Sequence, residues 1–212
     1  MFSVPSDGSG EPEQMLSTES TDNPTDVSPD GSALLFRRAY ADGSTDLTAV
    51  QLQGEPAETR VLGGDFMNGN ATISPDGRWL AYFSDESGQR EVYIQPYPGP
   101  GPKTPVSIGG GEEVRWSADG SELYYRNGQS LMAVPIQTGS TLVVGRPQPL
   151  FDDTFRNGVA INGAREYDVG PDGRFLMMRV GTADPNVDPN QYDHFVFVDN
   201  WFDELRRLVP ED

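Results

Sequence analysis

The chain has 212 residues, no cysteine, and 33 acidic against 15 basic side chains, for a net charge of −18. That charge argues against nucleic acid as the main partner, because phosphate binding needs a basic surface. The missing cysteines exclude disulfides, thiolate metal sites and cysteine nucleophiles, and 24 Gly with 18 Pro favour many short strands over a helical bundle.

At the start, Phe2-Ser3-Val4, the turn Asp7-Gly8-Ser9-Gly10 and Gln14-Met15-Leu16 read as the last two strands of a repeat unit, so the chain is expected to begin inside one. No basic segment followed by an apolar run marks a secretory signal there. No apolar run in the chain approaches the roughly 18 residues that a membrane helix needs.

From residue 21 onward a repeat organises the sequence. Ser28-Pro29-Asp30-Gly31 recurs as Ser74-Pro75-Asp76-Gly77, Ser117-Ala118-Asp119-Gly120 and Gly170-Pro171-Asp172-Gly173. Its period is close to the roughly 40–45 residues of a four-stranded propeller blade. Proline presets the turn, aspartate bonds nearby amides, and glycine supplies the positive φ that turns the chain back. Asp30, Gly31, Asp76, Gly77, Asp119, Gly120, Asp172 and Gly173 are therefore read as structural turn residues rather than a ring of catalytic acids. First strands precede the turns at residues 24–27, 71–73, 114–116 and 166–169. Second strands follow as the apolar runs 33–36, 79–83, 123–125 and 175–178, each expected to lie buried between stacked sheets.

A second hairpin follows the first three pairs, at Asp42-Gly43, Asp85-Glu86-Ser87-Gly88 and Asn127-Gly128. Third strands are placed at residues 47–52, 91–97 and 131–136. Fourth strands are placed near 59–62, 104–108 and 148–151. In the last unit a polar insertion over 181–193 precedes a third strand at 194–198. Residues 201–208 have helical spacing, with Asn200 as the cap. The predicted fold class is all-β: a β-propeller of four-stranded antiparallel blades, about four and a half present, with a short C-terminal helix. The units run 1–20 (half a blade), 21–63, 64–108, 109–152 and 153–200, with a tail at 201–212. A six-bladed ring needs roughly 260 residues at this period, so a partial ring is expected.

The turn, and above all Arg115-Trp116-Ser117-Ala118-Asp119-Gly120, resembles the WD-like repeat of TolB-type β-propellers. A narrower resemblance rests on Val92 to Gly101, Gly109 to Trp116, Glu122 to Arg126, Leu131 to Pro135 and Asn200 to Leu205. That pattern looks like the C-terminal propeller of bacterial eukaryotic-like serine/threonine kinases, which follows a cytoplasmic kinase domain and a membrane helix. The resemblance implies an extracytoplasmic (periplasmic or cell-surface) sensor or scaffold. No phosphate loop, H-R-D or D-F-G segment is present, so kinase activity is not carried over.

The chemistry in the residues is sparse. His194 is the only histidine, and no G-x-S-x-G elbow occurs, so neither a serine triad nor a multi-histidine metal site is expected. Asp184-Pro185-Asn186-Val187-Asp188 alternates oxygen ligands, but Pro189 and Phe195 stand where a calcium loop needs Gly and Glu. No metal and no cofactor are expected, and no enzymatic activity.

Propellers bind ligands on the loops entering each first strand. Those loops hold Asn23 and Asp26, Asn68 and Asn70, Glu112, Glu113 and Arg115, and Asn162 and Arg165. Asn23, Asn70, Glu113, Arg115 and Arg165 are the candidate ligand-binding residues, for a protein, a peptide or a small ligand. Two other readings stand: the propeller of a prolyl-oligopeptidase-type hydrolase separated from its catalytic domain, and a free TolB-like periplasmic protein. A fragment of a larger ring is the favoured reading; a smaller ring, or missing blades supplied by upstream sequence, are the alternatives.

Overall fold

A computed structural model describes residues 1–152, except 6, 8, 17, 19, 56 and 140, and residues 165–177. The chain divides into two compact units, Met1–Arg179 and Val180–Asp212, and the described residues all belong to the first. Asn162, Met178, the 181–193 insertion, the strand with His194 and the C-terminal helix lie outside the described residues.

The described part is all-β and antiparallel. Strands β1 (Phe2–Ser3) and β2 (Glu13–Gln14) form a hairpin. The next sheet has the order β3 (Thr21–Val27), β4 (Ala33–Ala39), β5 (Thr45–Gln51), β6 (Glu58–Leu62). It is followed by β7 (Asn68–Ile73), β8 (Trp79–Ser84), β9 (Glu91–Pro96) and β10 (Thr104–Pro105), again paired in chain order. The third large sheet holds β11 (Glu112–Trp116), β12 (Glu122–Asn127), β13 (Ser130–Gln137), β14 (Val143–Val144) and β15 (Gln148–Asp152). Finally, β16 (Tyr167–Val169) pairs with β17 (Phe175–Met177).

Each sheet is a blade, and the first strands β3, β7, β11 and β16 lie side by side along a shared inner edge. Second strands are apolar on both sides because each side meets a different neighbour. In β8, Leu80 and Tyr82 join Leu35, Leu47 and Ile73, whereas Ala81 joins Val114, Trp116 and Tyr125. In β12, Leu123 and Tyr125 face one blade, and Tyr124 meets Tyr167 of the next. Alternation along a strand thus builds a separate apolar layer in each gap.

The repeated turn fastens itself through its aspartate and glycine, and its serine takes a part as well. Gly31, Gly77, Gly120 and Gly173 have φ of 69°, 72°, 73° and 77°. Asp30 Oδ1 accepts from the Ser32 amide at 3.0 Å and from Ser28 Oγ at 2.6 Å, while Ser28 Oγ accepts from the Ala33 amide at 2.9 Å. The same triad recurs at Ser74 and Ser117. These bonds, led by the one from Ser28, hold the Asp30 carboxyl down at about 2. Asp119 is also held at about 2, first by the Ser121 amide. Gly170 has no hydroxyl, and its turn closes one residue earlier, with the Gly170 amide donating to Arg174 O at 2.8 Å.

Two features differ from the sequence reading. Strand β10 stops at Pro105 because the amides of Val106 and Ser107 both turn to Val92 O. Strand β14 was not expected; it extends β13 by pairing Val144 with Ile136. Moreover, β3, β7 and β11 each carry a bulge, between Pro24 and Asp26, Gly69 and Thr72, and Glu112 and Arg115.

Candidate functional site

The bulges place the predicted polar residues at three levels along the inner edge. The middle level is structural glue. Asn70 and Glu113 occupy the same repeat position and have φ of 46° and 54°, a left-handed conformation that only the bulge requires. Asn70 Oδ1 accepts from the Glu113 amide at 3.2 Å, linking two blades. The Glu113 side chain is fully buried and meets Arg126 Nε at 3.2 Å, itself 1% exposed. Glu113 also accepts from the Glu166 amide at 3.0 Å, and its main-chain oxygen accepts from the Tyr167 hydroxyl at 2.6 Å. Burial, with the Glu113 charge beside it, pushes the Tyr167 phenol far above its usual range.

Toward the repeated turns, Asp26, Thr72, Arg115 and Asp168 hold one repeat position in four successive blades. Asp26 Oδ2 accepts from Thr72 Oγ1 and from the Ile73 amide, both at 2.8 Å. Arg115 Nε lies 2.9 Å from Asp168 Oδ1, and its Nη1 reaches to 3.8 Å from Asp26 Oδ1, two blades away. Arg165 Nη1 donates to Val114 O at 3.4 Å. Burial, then the nearby Arg115 charge, lowers the Arg165 pKa. Two arginines and two aspartates from three blades, with Thr72 from the fourth, therefore converge.

At the opposite end, where the first strands begin, sits Asn23. It is half-buried and pairs in register with Arg37 of β4, so the two side chains share a face. Asn23 Nδ2 is buried with no acceptor. Asn68, from the wider predicted set, is bound to Thr45 by three hydrogen bonds of 2.5–2.9 Å and serves as an inter-blade clasp. Glu112 pairs with Arg90 at 2.6 Å.

Of the five candidates, Arg115 and Arg165 share one cluster, Asn70 and Glu113 share another, and Asn23 stands at the mouth. Sequence reasoning missed Arg37, Arg90 and Arg126. The two inside second strands had a signal: each is a charge at a fixed distance after the turn serine, directly behind an apolar run. A separate cleft of about 410 Å³ lies at the turn end, lined by Asp30, Asp76 and Tyr97 among others. Among the described residues no helix is long and apolar enough to cross a membrane.

The sequence matches no protein-family model. Among solved structures, TolB from Acinetobacter baumannii aligns with a TM-score of 0.60 and 16% identity, over 84% of this chain and 42% of that one. A TolB-type protein from Agrobacterium tumefaciens aligns with a TM-score of 0.56 and 22% identity, over 71% of this chain and 56% of that one. A 6-phosphogluconolactonase-type protein from Bacteroides uniformis aligns with a TM-score of 0.49 and 19% identity, over 83% of this chain and 56% of that one. The chain thus spans about half the length of the proteins it matches. At these identities the likeness is one of fold: the described residues form part of a TolB-like β-propeller.

Proposed function

We propose that the chain is a non-catalytic propeller module that binds a protein, a peptide or a small ligand along the inner edge of its blades. The observation that carries this reading is the convergence of Asp26, Thr72, Arg115 and Asp168 from four successive first strands, with Arg165 beside them. Such a cluster offers donors and acceptors to a ligand approaching the axis and holds no nucleophile–base pair among the described residues. Glu113 acts here as a positioning residue, since its carboxylate is taken up by Arg126 and the Glu166 amide.

The module works outside the cytoplasm, as the C-terminal part of a bacterial serine/threonine kinase-like protein. That narrower assignment draws its support from the sequence resemblance. A free TolB-like periplasmic propeller is the second reading, favoured by the likeness in fold to the two TolB structures. The reading frame upstream separates them: a kinase domain and a membrane helix there favour the first, and their absence removes its support.

Binding is tested by selecting peptides from a display library and measuring their affinity by calorimetry. Arg115→Ala and Arg165→Ala should each weaken a selected peptide about tenfold, the size of one lost charge-assisted contact. Unchanged affinity in both variants would reject the inner-edge site, and hydrolysis of peptide or ester substrates by the purified chain would overturn the non-catalytic reading.

A further inference from the structure

We infer that Arg37 and Asn23, at the end where the first strands begin, form a recognition site for a single carboxylate group. The inference deepens the binding-module reading and rests on it. Its ground is an unbalanced charge. Arg37 is only 9% exposed, yet none of the described residues accepts a hydrogen bond from its guanidinium or pairs with it. Arginine keeps its charge inside proteins, and the guanidinium nitrogens of Arg37 are not fully enclosed, so a solute can reach them.

The groups around it make the shortage plain. Burial, then the charge of Arg90, lowers the Arg37 pKa, so the charge it feels among the described residues is a repelling one. Arg90 is itself engaged by Glu112 at 2.6 Å and lies over the Phe83 ring at 5.2 Å. On the same face as Arg37, Asn23 Nδ2 is a second donor without an acceptor. The Arg37 stem passes Gly69 of β7: a β-carbon there would lie 3.6 Å from Arg37 Cδ and 2.7 Å from Phe83 Cε1. The contact with Arg37 would be an ordinary one, so the glycine makes room for the Phe83 ring, with the Arg37 stem close by.

The ligand chemistry follows. Two donors in want of acceptors call for a group that only accepts, and a carboxylate matches the planar fork of arginine. Arg37, Arg90 and Glu112 sum to one positive charge, which a monoanion neutralises. A phosphate dianion would add a further negative charge to a chain already at −18. A peptide C-terminus, an acidic side chain and a small acid all offer that carboxylate, and the titration probes tell them apart.

The test is an NMR titration of the full chain that follows the Arg37 Nε–H resonance. Five probes are used: acetate, acetyl-Ala-Ala-Ala with a terminal carboxylate, its amide, the amide of acetyl-Ala-Glu-Ala, and inorganic phosphate. Saturable shifts with at least one carboxylate probe, and none with the all-alanine amide, are expected; the probe that binds tightest identifies the source. Arg37→Met should weaken that probe at least tenfold and Asn23→Ala about fivefold, with thermal melting confirming that both variants are folded. Equal binding of the acid and the amide would overturn the carboxylate site while leaving the module reading standing. Absence of any saturable shift, tighter binding of inorganic phosphate, or unchanged affinity in both variants would also overturn it.

Discussion

Strands β4 and β12 carry arginine at the same repeat position, nine residues after the turn serine, and the two arginines are treated in opposite ways. Arg126 is sealed in and matched by Glu113, which also ties down the following blade through the Glu166 amide. Arg37 is nearly as buried, but the position equivalent to Glu113 is Pro24. Proline fixes φ near −65° and cannot adopt the +54° at which Glu113 turns inward. One blade has thus spent its arginine on cohesion, and the other holds its arginine open. The partner separates the two, and Arg37 is also the less enclosed.

The largest effect should come from breaking the matched pair. Arg126→Met leaves the Glu113 carboxylate buried without its cation and should cost about 3–5 kcal/mol in urea unfolding. A loss below about 1 kcal/mol would show that Glu113 is not held by Arg126. Gly69→Ala should come next. The new methyl meets the Phe83 ring at 2.7 Å, so overpacking of about 1–3 kcal/mol is expected. An unchanged unfolding midpoint would mean that the space at Gly69 is wider than described.

Smaller effects belong to the turns. Ser74→Ala removes the acceptor of the Trp79 amide and a donor to Asp76, for about 1 kcal/mol. The smallest is an acid limb. The folded pKa of Asp30 is depressed to about 2, so its contribution is complete above the unfolded value near 3.8 and disappears as pH falls through 2. Ser28→Ala, which removes the largest cause, should shift that limb upward in pH. A limb left in place would assign acid sensitivity to other carboxylates.

Much of the architecture was legible because it is local. The turn serines, aspartates and glycines and the apolar second strands act within one hairpin, and their spacing revealed four units. The inner-edge polar residues were also visible as types. Their division of labour was not, because it depends on contacts between residues far apart in sequence. Glu113 reads in sequence as a ligand-binding acid on a loop, whereas its bulge and Arg126 take it inside. Arg37 ended an apolar run and drew no notice, since only its packing beside Gly69 and Asn23 makes it unusual. Strand β14 follows from pairing with the far end of β13, which no short pattern around Val143 announces.

Arg37 is a charge without a match among the described residues. Urea unfolding of Arg37→Met beside the parent protein tests this most directly. Replacing an unmatched buried cation with an apolar side chain should raise the unfolding free energy by about 1 kcal/mol at an unchanged m-value. A loss of several kcal/mol, like that expected for Arg126→Met, would show that Arg37 is already satisfied and would contradict the account.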